Sequence, residues 1–242
     1  MKLSIAIPVY NEEERLPEKI RPYLECLEKT FPDYELVLVN DGSTDATLDY
    51  LRRLASENEK VKFIHSAENR GRGFGMKTGV LASSGDYILE TDADLPVSPE
   101  HIMWFLKFFE QNPDYSVAIG SRAHPESSFV VKQPPIRIIF GEIFHFIFGI
   151  LFGVKSRDVM CGFKMFKHEA AKDIFKYVYD DRYLAAGEVV LVAKRLGHKM
   201  KELPVRWEDD KRSKVKVFKD TTRSLCGLGQ MLVRDWQGKY DR

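Results

Sequence analysis

Cysteine is scarce in this sequence, and charge of one sign does not accumulate. The 242 residues include three cysteines, which lie far apart along the chain, and the formal net charge is +1. Three widely spaced cysteines exclude a disulfide framework and a zinc-binding pattern, and they are typical of a reducing, intracellular setting. The near-zero net charge argues against nucleic acid as the main partner, because such proteins usually carry a strongly basic face.

A hydrophobic run long enough to cross a membrane is also missing. The longest apolar stretch, Ile138 to Val154, has 17 residues and contains Glu142 and His145. A membrane-spanning helix needs about 20 apolar residues, and a carboxylate near its centre costs on the order of 3 kcal/mol. The N-terminus lacks the cleavage pattern of a signal peptide. The sequence therefore predicts a cytoplasmic protein that attaches peripherally to the cytoplasmic face of a membrane.

What the sequence does contain is an alternation of short apolar runs with helical patterns over its first 125 residues. This alternation predicts an α/β fold with a mostly parallel central sheet that is covered by helices on both faces. In such sheets ligands bind beyond the carboxyl ends of the strands, so the residues that follow each strand are candidates for function. The predicted strands are 3–9, 35–40, 61–65, 86–92 and 115–121, and the predicted helices are 12–30, 73–83, 99–111 and one that opens near residue 45.

Asp92 and Asp94 follow a buried strand and stand one residue apart. If the backbone stays extended there, both side chains point the same way and can share one cation. Hard oxygen ligands suit Mg²⁺ or Mn²⁺, which also bind the phosphates of a substrate. The alternative is a pair of capping residues before a proline turn. The metal is favoured, because two unpaired carboxylates this close would raise each other's pKa.

Polar residues also follow the second and third strands. Asp41 is placed to accept hydrogen bonds from a base or a ribose, whereas 43–45 are interpreted as a turn and helix cap. The later glycine cluster has the wrong spacing and position for a dinucleotide-binding loop. Arg70 and Arg72, beside that cluster, are interpreted as phosphate ligands near a helix N-terminus. The alternative is a flexible turn with solvated arginines.

Taken together, the motifs IPVYNEEERL, LVNDGSTD, ENRGRGFGMKTGV, ETDADL and GSR resemble the family 2 glycosyltransferases of GT-A fold. The later stretches RDVMCGFKMF and LPVRWEDDKRSKV resemble the branch that transfers a hexose to a polyprenyl (dolichyl) phosphate. That branch includes β-glucosyltransferases and mannose synthases. The mannose synthases carry DADLQ, and here the glutamine position is Pro96, which favours the glucosyl side.

The resemblance implies a role for each matched residue. It assigns the nucleotide-sugar to Pro8, Tyr10, Glu12 and Asp41, the metal and diphosphate to Asp92 and Asp94, and the acceptor phosphate to Arg122. It also implies that a basic loop containing Lys211 and Lys214 closes over the diphosphate. Arg137 is a second candidate for the acceptor phosphate. Asp158 contacts the acceptor or donor sugar in one interpretation and caps a strand end in the other.

The expected reaction is inverting hexose transfer from a nucleotide-sugar, with UDP-glucose favoured, and it gives a β-linked lipid-phosphate sugar. A phosphate acceptor is already mostly dianionic at pH 7, since its second pKa is near ~6, and it needs no general base. The alternatives are GDP-mannose as donor, or a polysaccharide or soluble hydroxyl acceptor, for which Asp158 would have to act as base. A nucleotide-sugar-binding protein without catalysis and a nicotinamide oxidoreductase are less favoured.

Two segments are candidates for contact with a membrane surface. The helix over 136–154 carries a phenylalanine every fourth residue from Phe140 to Phe152, and this aromatic side is expected either in the headgroup region or in the core. The basic stretch 211–219 leads into an amphipathic helix that ends near Trp236, which suits a membrane-surface anchor or a solvated loop. The expected organisation is a GT-A domain over 1–210, with a basic loop and amphipathic helix over 211–242.

Overall fold

The computed structural model describes residues 1–131, 135–208, 210, 212 and 217–241, without the side chains of 135–137 and 217–226. The strands are β1 (Leu3–Val9), β2 (Tyr34–Asp41), β3 (Val61–Ser66), β4 (Tyr87–Thr91), β5 (Val117–Ser121), β6 (Ser128–Phe129), β7 (Phe163–Lys167), β8 (Met200–Pro204) and β9 (Arg206–Trp207). The helices are α1 (Arg15–Thr30), α2 (Thr47–Glu57), α3 (Arg72–Ala82), α4 (Glu100–Gln111), α5 (Pro135–Phe152), α6 (His168–Lys176), α7 (Ala185–Arg195) and α8 (Val217–Trp236).

Seven strands form a mostly parallel sheet in the order β3-β2-β1-β4-β7-β5-β8. All seven residues of β1 are buried, as expected for a central strand that is covered on both faces. The alternation of strands and helices is therefore confirmed, with boundaries within a few residues of those predicted. β7 departs from the pattern, because it runs antiparallel to both of its neighbours, β4 and β5.

Hydrophobic cores lie on both faces of the sheet. On one face Ile5 and Ile7 of β1 pack with buried residues of α1, α2 and α4, such as Phe105. On the other face Ala6 belongs to a cluster built largely from α3, α5, α6, α7 and α8. The alternation of side chains along β1 thus separates two cores.

Helix α5 packs its aromatic stripe inward. Phe148 and Phe152 are 0% and 2% exposed and belong to the second core. Of the two expected positions for this stripe, the structure supports the core for Phe148 and Phe152, which fill the space beside α7 and α8. The exposed apolar side chains lie on another face of α5, at Ile139, Ile143, Phe146 and Ile150. Within the described ranges, no helix combines the length and the apolar character needed to cross a bilayer.

Ion pairs join the C-terminal helix to the rest of the molecule. Arg195 of α7 donates two hydrogen bonds to Asp235 of α8, at 2.6 and 2.5 Å. The fully buried Glu188 of α7 accepts hydrogen bonds from Arg234 and Tyr240, at 3.1 and 2.5 Å. The described end of α8 therefore packs against the same core as α5 and α7.

Candidate active site

The loop after β1 brings a buried carboxylate to the open edge of the sheet. Pro8 lies buried near the end of β1, and Tyr10 is exposed. The Glu12 carboxylate pairs with Arg15, whose Nε donates to it at 2.7 Å. The Glu12 backbone N–H donates to Thr47 Oγ1 at 2.8 Å, which ties this loop to α2. The nucleotide-sugar roles given to Pro8, Tyr10 and Glu12 stay predictions.

Asp41, at the end of β2, holds the segment that precedes α3. Its two carboxylate oxygens accept hydrogen bonds from the backbone N–H groups of Arg70 and Gly71, at 2.9 and 2.7 Å. Gly71 has a φ of 122°, a conformation that side chains rarely tolerate. The glycine cluster therefore shapes the start of a helix, and Asp41 is its anchor. Contact between Asp41 and a base or ribose stays a prediction.

Arg70 and Arg72 are both held by carboxylates. The Arg70 guanidinium pairs with Asp181 at 2.9 Å. Arg72 donates to Asp92 through Nε and to Glu90 through Nη2, each at 2.6 Å. Burial disfavours the charged guanidinium, but Asp92 and Glu90 outweigh this and raise the pKa of Arg72. The alternative of a solvated arginine is therefore wrong for Arg72, whereas Arg70 is 52% exposed, and the role of both in phosphate binding stays a prediction.

The Asp92-x-Asp94 pair lies in a turn. The Leu95 backbone N–H donates to the Asp92 carbonyl at 3.0 Å, and Leu95 has a φ of 45°. The expected extended backbone is therefore wrong, although the two carboxylates remain close enough for the charge of Asp92 to act on Asp94. No other described residue reaches Asp94 Oδ1 with a hydrogen bond, and this oxygen is buried. Burial and the charge of Asp92 raise the pKa of Asp94 to about 7.

A buried, unsatisfied carboxylate oxygen beside a second carboxylate is the environment in which a divalent cation binds. Mg²⁺ is usually held by one or two carboxylates together with substrate phosphates, and Asp92 and Asp94 match that requirement. The described residues contain no cluster of three or more His, Cys, Asp or Glu side chains suited to a metal. Asp92 and Asp94 therefore fit a cation that the substrate helps to hold.

Arg122, which follows β5, forms a buried ion pair with Asp158. Its Nε and Nη2 donate to the two oxygens of Asp158 at 2.7 and 2.8 Å, and its backbone N–H donates at 3.0 Å. Burial would raise the pKa of Asp158, but the Arg122 guanidinium outweighs it, and the pKa lies below its usual range. The guanidinium also lies 5.0 Å from the centre of the Trp207 ring. Asp158 thus orients Arg122.

Three other predicted residues cannot be placed. The Arg137 side chain, Lys211 and Lys214 lie outside the described residues. Their predicted roles at the acceptor and donor phosphates stay predictions. Pro96, which stands where mannose synthases carry glutamine, is buried, and its carbonyl accepts the Glu208 backbone N–H at 2.8 Å.

Comparison with known proteins decides the family. The sequence matches the family described as Glycosyl transferase family 2 over residues 4–175. The chain belongs to this family. A dolichyl-phosphate beta-glucosyltransferase of Drosophila melanogaster is 34% identical over 248 residues, which cover 98% of this chain and 74% of that protein. The protein of that name from Homo sapiens is 33% identical over 230 residues, which cover 90% and 70%. The resemblance drawn from the motifs is confirmed.

Solved structures show the fold of this glycosyltransferase. Glucosyl-3-phosphoglycerate synthase from Mycobacterium tuberculosis, in complex with UDP, aligns with a TM-score of 0.66 at 17% identity, over 96% of this chain and 80% of that one. S. aureus TarS in complex with UDP aligns with a TM-score of 0.60 at 19% identity, over 86% and 60%. The expected GT-A fold is confirmed.

Sequence reasoning missed several residues of the glycosyltransferase site. Glu90 and Lys164 are fully buried and pair in register across β4 and β7, next to Arg72. Gly162 lies against the site, since a Cβ there would stand 1.8 Å from Asp92 Oδ2. The CGFK motif contains both Gly162 and Lys164. It indicated the family, but it did not indicate that these two residues lie beside Asp92 and Arg72. Glu90 gave no signal, because it lies within a strand pattern.

Proposed function

We propose that the chain transfers glucose from UDP-glucose to a dolichyl or related polyprenyl phosphate, with inversion at the anomeric carbon. The similarity to dolichyl-phosphate beta-glucosyltransferases along nearly the whole chain carries this proposal. The site supports it in two places. Its donor end, around Asp92 and Asp94, contains buried carboxylate oxygens without hydrogen-bond partners among the described residues. Its acceptor end contains Arg122, which Asp158 orients. A metal-bound nucleoside diphosphate suits the first end, and an anionic acceptor suits the second.

At the donor end, Asp94 and Asp92 would hold Mg²⁺ or Mn²⁺. A divalent cation there would neutralise the charge that develops on the leaving diphosphate. Arg72, fixed by Glu90 and Asp92, supplies a positive charge beside the same position. Preorganised charges of this kind need no rearrangement as the glycosidic bond breaks. The chain's contribution at this end is therefore electrostatic.

At the acceptor end, the geometry favours a phosphate over a hydroxyl group. A hydroxyl acceptor needs a carboxylate base, and Asp158 was the candidate. Both Asp158 oxygens accept hydrogen bonds from Arg122, and its pKa is lowered, so it is a poor base. A phosphate monoester, with a second pKa near ~6, attacks without deprotonation. Arg122 then binds and orients a nucleophile that is already charged.

We further propose that this reaction takes place on the cytoplasmic surface of a membrane, with α5 in contact with lipid. The face of α5 at Ile139, Ile143, Phe146 and Ile150 is 49–69% exposed, and these positions recur at helical spacing. An exposed apolar stripe of this kind binds at the boundary between headgroups and acyl chains. A lipid-linked acceptor would reach Arg122 from the same surface.

Vesicle binding tests the membrane proposal. A variant with Ile143→Ser, Phe146→Ser and Ile150→Ser is expected to lose co-sedimentation with anionic vesicles. Trp104→Ser on α4 removes a similarly exposed apolar side chain, 58% exposed, from another face and should leave co-sedimentation intact. Equal binding of the triple variant and the unsubstituted protein would contradict the proposal.

Incubation with labelled UDP-glucose, Mg²⁺ or Mn²⁺ and a short polyprenyl phosphate tests the reaction itself. Label is expected in the organic phase as a β-linked glucosyl phosphate, and chelation of the metal should abolish it. GDP-mannose serves as the competing donor, and label from it alone would reassign the sugar. Hydrolysis of both donors without a lipid product would contradict the proposed function.

A further inference from the structure

One titratable side chain near the acceptor end has no role in the reaction described above. His145 lies on α5, between the exposed apolar face of that helix and Arg122. Its Nε2 is 3.5 Å from Asp158 Oδ1, and its side chain is 14% exposed. Burial lowers the pKa of His145, which favours the neutral ring.

Asp158 is held from three directions. Arg122, which follows β5, donates hydrogen bonds to both carboxylate oxygens. Glu202 of β8 accepts the backbone N–H groups of Arg157 and Asp158 at 2.7 and 3.0 Å, which fixes the turn that carries Asp158. His145 is the contact from α5. Among these contacts, His145 belongs to the helix that we propose for the membrane surface.

We propose that His145 is a positioning residue for the acceptor phosphate, which acts through Asp158 to fix Arg122 and ties the lipid-facing helix to the acceptor end of the cleft. This inference rests on the proposed function, because it requires that Arg122 binds a lipid-linked phosphate. A second contact that positions Arg122 is useful here, because the acceptor headgroup enters from the membrane while Arg122 is fixed at the end of the sheet. The contact between His145 and Asp158 keeps helix α5 and Arg122 aligned.

A second histidine–carboxylate pair provides a matched comparison. His198 Nε2 lies 3.1 Å from Asp173 Oδ2, and the His198 side chain is 15% exposed. His198 also contacts the Ser116 hydroxyl, at 3.1 Å from Nδ1. The two histidines are thus similarly buried and each lies beside a carboxylate, but Asp173 lies on α6, whereas the Arg122 guanidinium pairs with Asp158. Loss of a histidine–carboxylate contact alone can therefore be separated from loss of acceptor positioning.

The test compares His145→Leu, His145→Gln and His198→Leu in the full chain. His145→Leu is expected to raise the KM for polyprenyl phosphate about fivefold, which corresponds to roughly 1 kcal/mol. The affinity for UDP, measured by calorimetry, should stay within about twofold, since one lost contact at the acceptor end leaves the donor end intact. His145→Gln should recover most of the acceptor KM, because its amide nitrogen reaches the position of Nε2. His198→Leu should lower thermal stability without raising the acceptor KM.

Two results would overturn the inference alone: an unchanged acceptor KM in His145→Leu, or an equal rise in His198→Leu. If the unsubstituted protein transfers no sugar to polyprenyl phosphate, the proposed function and this inference both fail. If His145→Leu does not fold, His145→Asn replaces it, since the shorter amide does not reach Asp158. Asn should then show a higher acceptor KM than Gln, and equal values would overturn the inference.

Discussion

The two ends of the cleft use buried carboxylates in opposite ways. At the acceptor end, Asp158 is bound by Arg122 on both oxygens, and its pKa is lowered. At the donor end, no described residue reaches the buried Oδ1 of Asp94, and its pKa is raised to about 7. One carboxylate therefore stabilises the folded chain, and the other destabilises it in the absence of a ligand.

The local charge balance follows the same division. Among the residues that the structure describes, the donor end has one more carboxylate than it has cations, whereas the Arg122–Asp158 pair is neutral. An uncompensated buried charge persists where function requires it. The described donor end therefore carries an excess negative charge, whereas the charges of the described acceptor pair balance each other. The described donor-end groups are the carboxylates Glu12, Glu90, Asp92 and Asp94 and the cations Arg15, Arg72 and Lys164.

The largest expected loss of activity comes from a substitution at the donor end. Asp94→Asn removes the charge that we propose for the metal and should lower the rate of glucose transfer on the order of a thousandfold, comparable to the loss of a preorganised charge-stabilising group. The acceptor end should be unaffected, so the fold and the affinity for polyprenyl phosphate should persist. Transfer assays with Mg²⁺ and Mn²⁺ measure the loss. Unchanged turnover would remove Asp94 from the metal site.

A smaller loss of activity is expected when an added Cβ displaces the Asp92 carboxylate. Gly162→Ala places a Cβ 1.8 Å from Asp92 Oδ2 and 3.1 Å from Arg72 Nη2, so the carboxylate has to move. A displacement of about 1 Å can cost about a hundredfold, and we expect kcat/KM for UDP-glucose to fall by roughly 10- to 100-fold.

Gly85→Ala is the matched control for Gly162→Ala. Its Cβ would lie 2.7 Å from the Ser4 backbone nitrogen, at the opposite end of β4. It should lower the thermal midpoint without changing the KM for UDP-glucose. A similar loss of kcat/KM in both variants would show that crowding acts through stability and not through Asp92.

The contrast between the two ends also explains what the sequence could predict. Strand–helix alternation gave the order of the elements, and the rule for parallel sheets identified Asp41, Asp92 and Asp94 as strand-end residues, whereas the role of Arg122 came from the family resemblance. These inferences depend on local periodicity. The antiparallel insertion of β7 depends on long-range pairing, which local patterns do not reveal, so Lys164 was not recognised beside the donor end.

Helix orientation was the other limit. The sequence located α5 but did not determine which of its two apolar faces is buried, because phenylalanine and isoleucine both suit a core or a lipid surface. The position of His145 near Arg122 depends on that orientation. The Asp158 partner was equally hidden, since Arg122 and Asp158 are far apart in the chain. Residues that act through tertiary contact were therefore the ones missed.

The acceptor pair is also expected to contribute to the stability of the fold. Asp158→Asn leaves Arg122 without its counter-ion in a buried position and should lower the free energy of unfolding by about 3 kcal/mol. The folded-state pKa of Asp158 is lowered, so its stabilisation is present above its unfolded pKa and is lost as the pH falls below it. Urea denaturation at pH 7 measures the change. Asp49→Asn breaks an exposed pair with Arg52 and should cost less than about 1 kcal/mol.

The smallest expected effect has the opposite sign. Since the pKa of Asp94 is raised from 3.8 to about 7, the folded chain binds this proton more tightly than the unfolded chain. Stability should therefore fall as the pH rises from about 4 to about 7, and Asp94→Asn should remove that fall. In metal-free buffer, urea denaturation should find the variant more stable than the unsubstituted protein by roughly 1–2 kcal/mol at pH 8, and by less at pH 5. A difference that does not change with pH would show that Asp94 is compensated within the chain. A gain confined to high pH would mean that the residue most needed for transfer is one that destabilises the free protein, as expected if a metal and a diphosphate complete the donor end.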